Sequence, residues 1–140
     1  MSVEVQLKKL KVAKKKNLIG MNKVLVIGGS KGIGNAIIKS LVDENLVINI
    51  SRTKPILSHT NLTHVTCDVL IDDLPNFETI DSLIYCPGSI NLKPISRLKL
   101  NDFRDDFEIN VIGAVKAIQH YLPSLKTGNK PSVLLFSTVA

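Results

Sequence analysis

Seven consecutive residues, Gly28-Gly29-Ser30-Lys31-Gly32-Ile33-Gly34, have the types and spacing to hold an anion. Directly before them lies the apolar, β-branched run Lys23-Val24-Leu25-Val26-Ile27, which reads as a strand buried on both faces. Directly after them, Ile33, Ile37, Ile38 and Leu41 fall at helical spacing, and Glu44-Asn45 supplies a stop. A strand that turns on glycines into a helix aims backbone N–H groups and the positive helix end at one spot, which suits a diphosphate. The spacing G-x-x-x-G-x-G is a variant of the dinucleotide fingerprint, distinct from G-x-G-x-x-G. It is not a Walker loop, because neither Lys-Ser nor Lys-Thr follows the last glycine.

The elements around this loop alternate. Leu46–Ile50 reads as a second strand, and its polar end Ser51-Arg52-Thr53-Lys54 is broken at Pro55. Thr63–Cys67 is a short third strand running into Asp68-Val69, and the link from Arg52 leaves little room for a helix. Leu70 to Thr79 has room for one helical turn, interrupted at Pro75. Ile80–Tyr85 is a fourth strand leading into Cys86-Pro87-Gly88-Ser89. Asn101 is expected to cap a long helix with the apolar stripe Phe103, Phe107, Val111, Ala114, Ile118 and Leu122. Ile109, Ile112 and Val115 widen the stripe, so this helix is expected to be covered on two sides, with Pro123 and Gly128 closing it. Ser132–Ser137 is a fifth strand. The alternation predicts an α/β fold built on a parallel sheet covered on both faces.

Composition narrows the classes. A chain of 140 residues makes about one domain, short for a complete dinucleotide-binding enzyme. A hydrophobic fraction of 44% argues for a folded chain, and no apolar run reaches the length of a membrane span. Cys67 and Cys86 make no disulfide framework, which points to a reducing cytoplasm. His59, His64 and His120 show no metal-ligand spacing. Of the net charge of +6, most sits in the first twenty residues, where six lysines stand against Glu4. Residues 1–20 read as a disordered extension, or one upstream of a natural start at Met21, ahead of a nucleic-acid arm or a membrane-surface helix. The domain proper is then 21–140, with neither nucleic acid nor membrane as partner.

Taken together these landmarks resemble the short-chain dehydrogenase/reductase family, over Met21 to Ala140. Gly28, Gly32 and Gly34 match that family's cofactor loop, although Ile27 stands where a threonine is usual. Asp68-Val69 matches the acidic-apolar pair that reaches the adenine. Tyr85-Cys86-Pro87-Gly88 lies where the family has Asn-Asn-Ala-Gly and keeps only the glycine. Asn110 matches the active-site asparagine of the long helix, and Phe136-Ser137-Thr138 resembles the strand end that carries the catalytic hydroxyl. Ser137 and Thr138 occupy the two hydroxyl positions, and the choice between them stays open.

The resemblance implies a Rossmann-like doubly wound parallel sheet, truncated after about five strands. It also implies hydride transfer between a nicotinamide and the carbon of a small carbonyl or alcohol substrate. Asn110 would anchor a water relay, and Thr138 or Ser137 would steady the reacting oxygen. Cofactor contacts would come from Gly28, Ser30, Lys31, Gly32, Ile33, Gly34, Ser51, Arg52, Asp68, Val69, Cys86, Pro87 and Gly88. The family's Tyr-x-x-x-Lys pair is absent: Ser89 follows Tyr85 by four residues, and Leu125 follows Tyr121. These 140 residues are therefore expected not to catalyse the reaction alone. A non-catalytic NADP(H)-binding sensor is the alternative. At the end of the second strand an Asp or Glu would accept from the ribose of NAD. Here Ser51-Arg52 stands there, with Lys31 across the loop, which predicts NADP(H). The long helix is expected to self-associate, making the complete parent a homodimer or homotetramer.

Overall fold

The computed structural model describes residues 20–137. Lys23–Ile27 forms β1, Gly32–Leu41 α1 and Leu46–Ser51 β2. Leu62–Thr66 forms β3 and Ser82–Tyr85 β4. After a 3₁₀ turn at Ile95–Arg97 come α2 (Leu100–Phe107), a π-turn (Glu108–Ile112), α3 (Gly113–Lys126) and β5 (Ser132–Leu135). The five strands make one sheet in the order β3-β2-β1-β4-β5, every pair parallel. The strand order reverses between β1 and β4. A ligand crevice belongs at such a switch point, beyond the carboxyl ends of the strands.

Alternate residues of each strand feed two cores. Val24, Val26, Val47 and Ile84 pack with Ile38 and Val42 on the α1 face. Leu25, Ile27, Ile48, Ile50, Leu83 and Tyr85 face the other way, against Ala114, Ala117, Tyr121 and Leu125 of α3. Burial on both faces is why β1 and β2 read as mainly apolar runs, with the buried Asn49 the polar exception inside β2. Asn45 ends α1 as expected, its Nδ2 donating to Leu41 O at 2.9 Å.

The long helix departs from expectation. Asn101 is not its cap: the Asp102 carboxylate accepts the Lys99 N–H at 2.9 Å, so the helix starts earlier, at Leu100. Pro123 does not close it. It lies inside α3, whose last turn is tied down by Ser124 Oγ donating to Phe77 O and Thr127 Oγ1 donating to Glu78 O. The helix ends at Lys126 with Thr127 as its cap, and Gly128 follows at a point where a Cβ would run into Ile80 O.

The apolar stripe is also out of phase. Of that stripe, Ala114 faces the sheet and Ile118 packs against the same core, whereas Phe103, Phe107, Val111 and Leu122 are exposed and Ala117, Tyr121 and Leu125 complete the buried face. The π-turn inserts an additional residue, rotating the two helices by roughly 100° relative to a continuous 3.6-residue count. Hence α3 is covered by the sheet on one side, and its other apolar side is open among the described residues. The segment Leu70–Thr79 forms turns without a helix. β5 stops at Leu135, two residues short of Ser137.

Candidate functional site

A cleft of about 800 Å³ opens at the carboxyl ends of β1, β2 and β4. Its floor is the glycine loop. Gly28 and Gly32 take φ of +82° and +58°, the left-handed region in which a side chain is strained. Above Gly32 a Cβ would meet nothing within 4 Å, so the backbone lies open to a ligand. Gly34 serves packing instead: a Cβ there would strike Gly28 O, and α1 could not sit against the loop. The start of α1 has no side-chain cap and no acid in its first turn, leaving its N–H groups and positive dipole end for an anion. This cradle fits a diphosphate.

Every cofactor residue expected from the sequence lines this cleft. Ser30, Lys31 and Ile33 come with the loop, Ser51 and Arg52 with the end of β2, and Asp68 and Val69 with the turn after β3. Cys86, Pro87 and Gly88 form the wall after β4. At the β2 end, Arg52 reaches Asp68 only at 3.9 Å with its side chain 79% exposed, a pairing too weak and wet to immobilise it. Ser51 behaves differently from expectation. It is buried, its hydroxyl donates to Thr53 O at 2.8 Å, and its oxygen accepts from Asn49 Nδ2 at 2.9 Å. Its proton is already committed, so Arg52 and Lys31 are the groups left to bind an anion there. The Asp68 carboxylate is turned back on its own loop, accepting from the Leu70 N–H at 3.0 Å.

The opposite wall is latched to the helix. Asn110 sits in the π-turn and clasps the Ser89 backbone at two points, with Ser89 N–H donating to Oδ1 at 3.0 Å and Nδ2 donating to Ser89 O at 2.7 Å. Asp106 accepts from Ser89 Oγ at 2.6 Å and from Asn91 N–H at 2.9 Å, and these bonds hold its carboxyl below the usual range. Asn110 is thus beside the cleft, with its side chain bound to the wall. Ser137 is exposed past the end of β5 and makes no part of the cleft lining. Thr138 lies outside the described residues, as do 1–19 of the lysine-rich segment.

Sequence reasoning missed the groups that set this geometry. Tyr85, expected as the end of the fourth strand and the start of a divergent loop, donates its hydroxyl to Ile109 O in the π-turn at 2.6 Å. Burial, then the charge of Asp68, pushes this phenol up to about 12. Tyr121 donates to Pro75 O at 3.0 Å and is also raised, mainly by burial. Cys86 is pushed up to about 11 by burial, so the cleft thiol is protonated at neutral pH. Asn49, Gly113 and Ser89 left no mark in any local pattern.

An anion cradle at the switch point of a doubly wound parallel sheet defines a dinucleotide-binding fold. The profile of the short chain dehydrogenase family matches residues 22–140, and the chain belongs to that family. Among curated relatives, an uncharacterized oxidoreductase of Bacillus subtilis is 26% identical, over 84% of this chain and 51% of its own length. One of Schizosaccharomyces pombe is 29% identical, over 84% and 53%. The chain therefore spans about half the length of the curated relatives it matches. Among solved structures, the ligand-free aldohexose dehydrogenase of Thermoplasma acidophilum superposes with a TM-score of 0.72 at 25% identity, over 84% of this chain and 50% of the other. A short chain dehydrogenase of Leptospira borgpetersenii with bound NAD+ gives 0.72 at 20% identity, over 84% and 52%.

Proposed function

We propose that this chain is the cofactor-binding part of an NADP(H)-dependent oxidoreductase that interconverts a small carbonyl compound and its alcohol. The domain would be 21–140, preceded by the lysine-rich extension of 1–20. Bound at the cleft, the nicotinamide cofactor would supply the hydride. The chain's own residues bind and orient it: the glycine loop takes the diphosphate, and Asp68 and Val69 flank the adenine side. Cys86, Pro87 and Gly88 wall the nicotinamide side, with Asn110 holding that wall.

The observation that carries the NADP(H) reading is the β2 end, where the side chain is an exposed Arg52 with Lys31 across the cleft. A guanidinium and an ammonium around a 2′-phosphate give charge-assisted contacts that NAD cannot use. Titration of the protein with NADPH and NADH, followed by cofactor fluorescence, tests it. Arg52→Asp should weaken NADPH by about tenfold to a hundredfold, the worth of one charge-assisted hydrogen bond, and NADH far less. Equal affinity of the unaltered protein for the two, or a preference for NADH, refutes the assignment.

The sensor reading is favoured by one observation. Both tyrosines of the described residues are buried, raised in pKa and bound to backbone carbonyls, so neither can shuttle protons to a substrate. We infer that these 140 residues lack a general acid, a term worth on the order of 10²–10⁴ in rate. Without a downstream Tyr-x-x-x-Lys in the parent gene, binding without turnover is the function. NADPH consumption with a panel of ketones, measured for this chain and for a version extended through the downstream frame, separates the two. The exposed face carrying Phe103, Phe107, Val111, Val115 and Leu122 supports pairing of the complete parent into a dimer or tetramer, read by light scattering. Two free thiols suit a reducing cytoplasm.

A further inference from the structure

Beneath the glycine loop lies a polar group that the cofactor contacts do not explain. Asn49 of β2 is fully buried, in register with His64 of the outer strand β3. Its Oδ1 accepts the Gly29 N–H at 2.9 Å, and a Cβ on Gly29 would come within 2.5 Å of that same oxygen. The bond fixes which way the amide points. Nδ2 must then spend its two protons elsewhere, and it meets Ser51 Oγ at 2.9 Å and His64 Nδ1 at 3.0 Å. An amide NH₂ has no acceptor capacity. His64 Nδ1 is therefore a lone pair, the ring is neutral, and its proton sits on Nε2, facing Thr66 Oγ1 at 3.1 Å. One chain of bonds thus runs from the diphosphate end of the cleft, through Asn49, to Ser51 and the ribose end, with His64 as its outer anchor.

We propose that Asn49 is a positioning residue for the glycine loop, and that it keeps its orientation only while His64 offers it a lone pair. The proposal deepens the dinucleotide reading of the cleft and rests on it. A proton on Nδ1 would face the Nδ2 protons of Asn49, two donors with nothing between them. Flipping the amide restores that contact but turns Nδ2 toward the Gly29 N–H and removes its acceptor. Once the amide flips, the loop loses the Gly29 hydrogen bond, and affinity for the diphosphate falls. The groups that face His64 are few. Lys54 follows β2 and disfavours the charged ring, Asn49 and Thr66 do not titrate, and α1 presents Ile37, Ile38 and Leu41 to this side of the sheet. Burial, and after it Lys54, holds the ring below the ordinary histidine range.

A pH titration of the ¹⁵N-labelled protein tests the coupling without any nucleotide. The Gly29 amide and the His64 ring should titrate with one midpoint, and in Asn49→Leu the Gly29 amide should lose that transition. A Gly29 amide blind to His64, or still coupled in Asn49→Leu, overturns the proposal. The binding arm then measures NADPH affinity across the same range. It should fall roughly five- to tenfold as His64 protonates, the worth of one hydrogen bond. His64→Gln provides the baseline, because phosphates of the ligand titrate nearby. A fall of equal size in His64→Gln overturns the positioning role. Should neither NADPH nor NADH bind at any pH, the dinucleotide reading fails, and pyrophosphate, read at the Gly29 amide, becomes the probe. A pyrophosphate affinity that follows His64 sustains the proposal; absence of pyrophosphate binding overturns it too.

Discussion

Gly113 opens α3 directly beneath Tyr85, and a methyl group there would run into the Tyr85 hydroxyl. Gly113→Ala in the unaltered protein must displace that hydroxyl. Overpacking costs about 1–3 kcal/mol, and the lost bond to Ile109 O adds about 1 kcal/mol. Alanine recovers about 1 kcal/mol through its better helix propensity, because Gly113 has helical φ and ψ of −60° and −39°. The net expectation is a destabilisation of about 1–3 kcal/mol. Tyr85→Phe removes the obstructing oxygen. The ring carbon behind it would then lie 3.4 Å from the new methyl, an ordinary contact, and Leu70 Cδ2 at 3.0 Å belongs to a side chain that can move. In that background Gly113→Ala should be neutral or stabilising by up to about 1 kcal/mol, reversing its sign. Urea unfolding of the four proteins gives the coupling from the midpoints at constant slope. Equal costs of Gly113→Ala in both backgrounds would refute the claim that the hydroxyl is what excludes a side chain here.

Three further outcomes are expected. Gly34→Ala should separate α1 from the loop, lowering dinucleotide affinity and the urea midpoint together, since a Cβ there meets backbone that cannot yield. Cys86, raised to about 11 by burial, should react slowly with iodoacetamide at pH 8 and about tenfold faster for each pH unit toward its pKa, followed by mass spectrometry. The depressed Asp106 carboxyl contributes stability to the wall that is present above the ordinary aspartate pKa and lost as pH falls through its own lower value. The Asn91 amide signal should therefore titrate with a midpoint below the usual 3.8, and Asp106→Asn should abolish the transition.

The glycine cradle was legible because everything that makes it is contiguous. Strand, turn and helix occupy 23–41, and each local preference agrees with the fold around it. Arg52 was legible for a similar reason, since it directly follows the second strand and needs only that strand's end to be placed. What escaped was contact between distant segments. Asn49 and His64 are 15 residues apart on neighbouring strands, and each alone is an unremarkable polar residue in an apolar run. Tyr85 and Gly113 meet across the sheet–helix interface with no shared periodicity. The stripe on the long helix was misread because apolar spacing reports a face only while the helix stays in phase, and the π-turn breaks that phase. Asn101 is not the cap because Asp102, at the third helical position, reaches back to the Lys99 N–H and sets the helix start at Leu100.

The strand order also sets a sequence of assembly. Partners in the β2–β3 ladder are 15 residues apart and those in the β1–β2 ladder 23, whereas Val24 finds Ser82 after 58 residues and Ser82 finds Ser132 after 50. Loop closure over 58 residues instead of 23 costs only about 0.8 kcal/mol more. Yet β4 pairs with β1 over four residues where β2 pairs over five. Residues 23–66 therefore form the unit that can condense first, and β4, α3 and β5 dock onto it afterwards. The cleft follows the seam between the two, with the glycine loop and Arg52 on the early side and the wall 86–89 on the late side. A molecule lying in it bridges both. In native-state hydrogen exchange, the amides of β4 and β5 should open together ahead of those in β1 and β2. A bound dinucleotide should suppress that opening in proportion to its occupancy, acting as the last structural element of the fold.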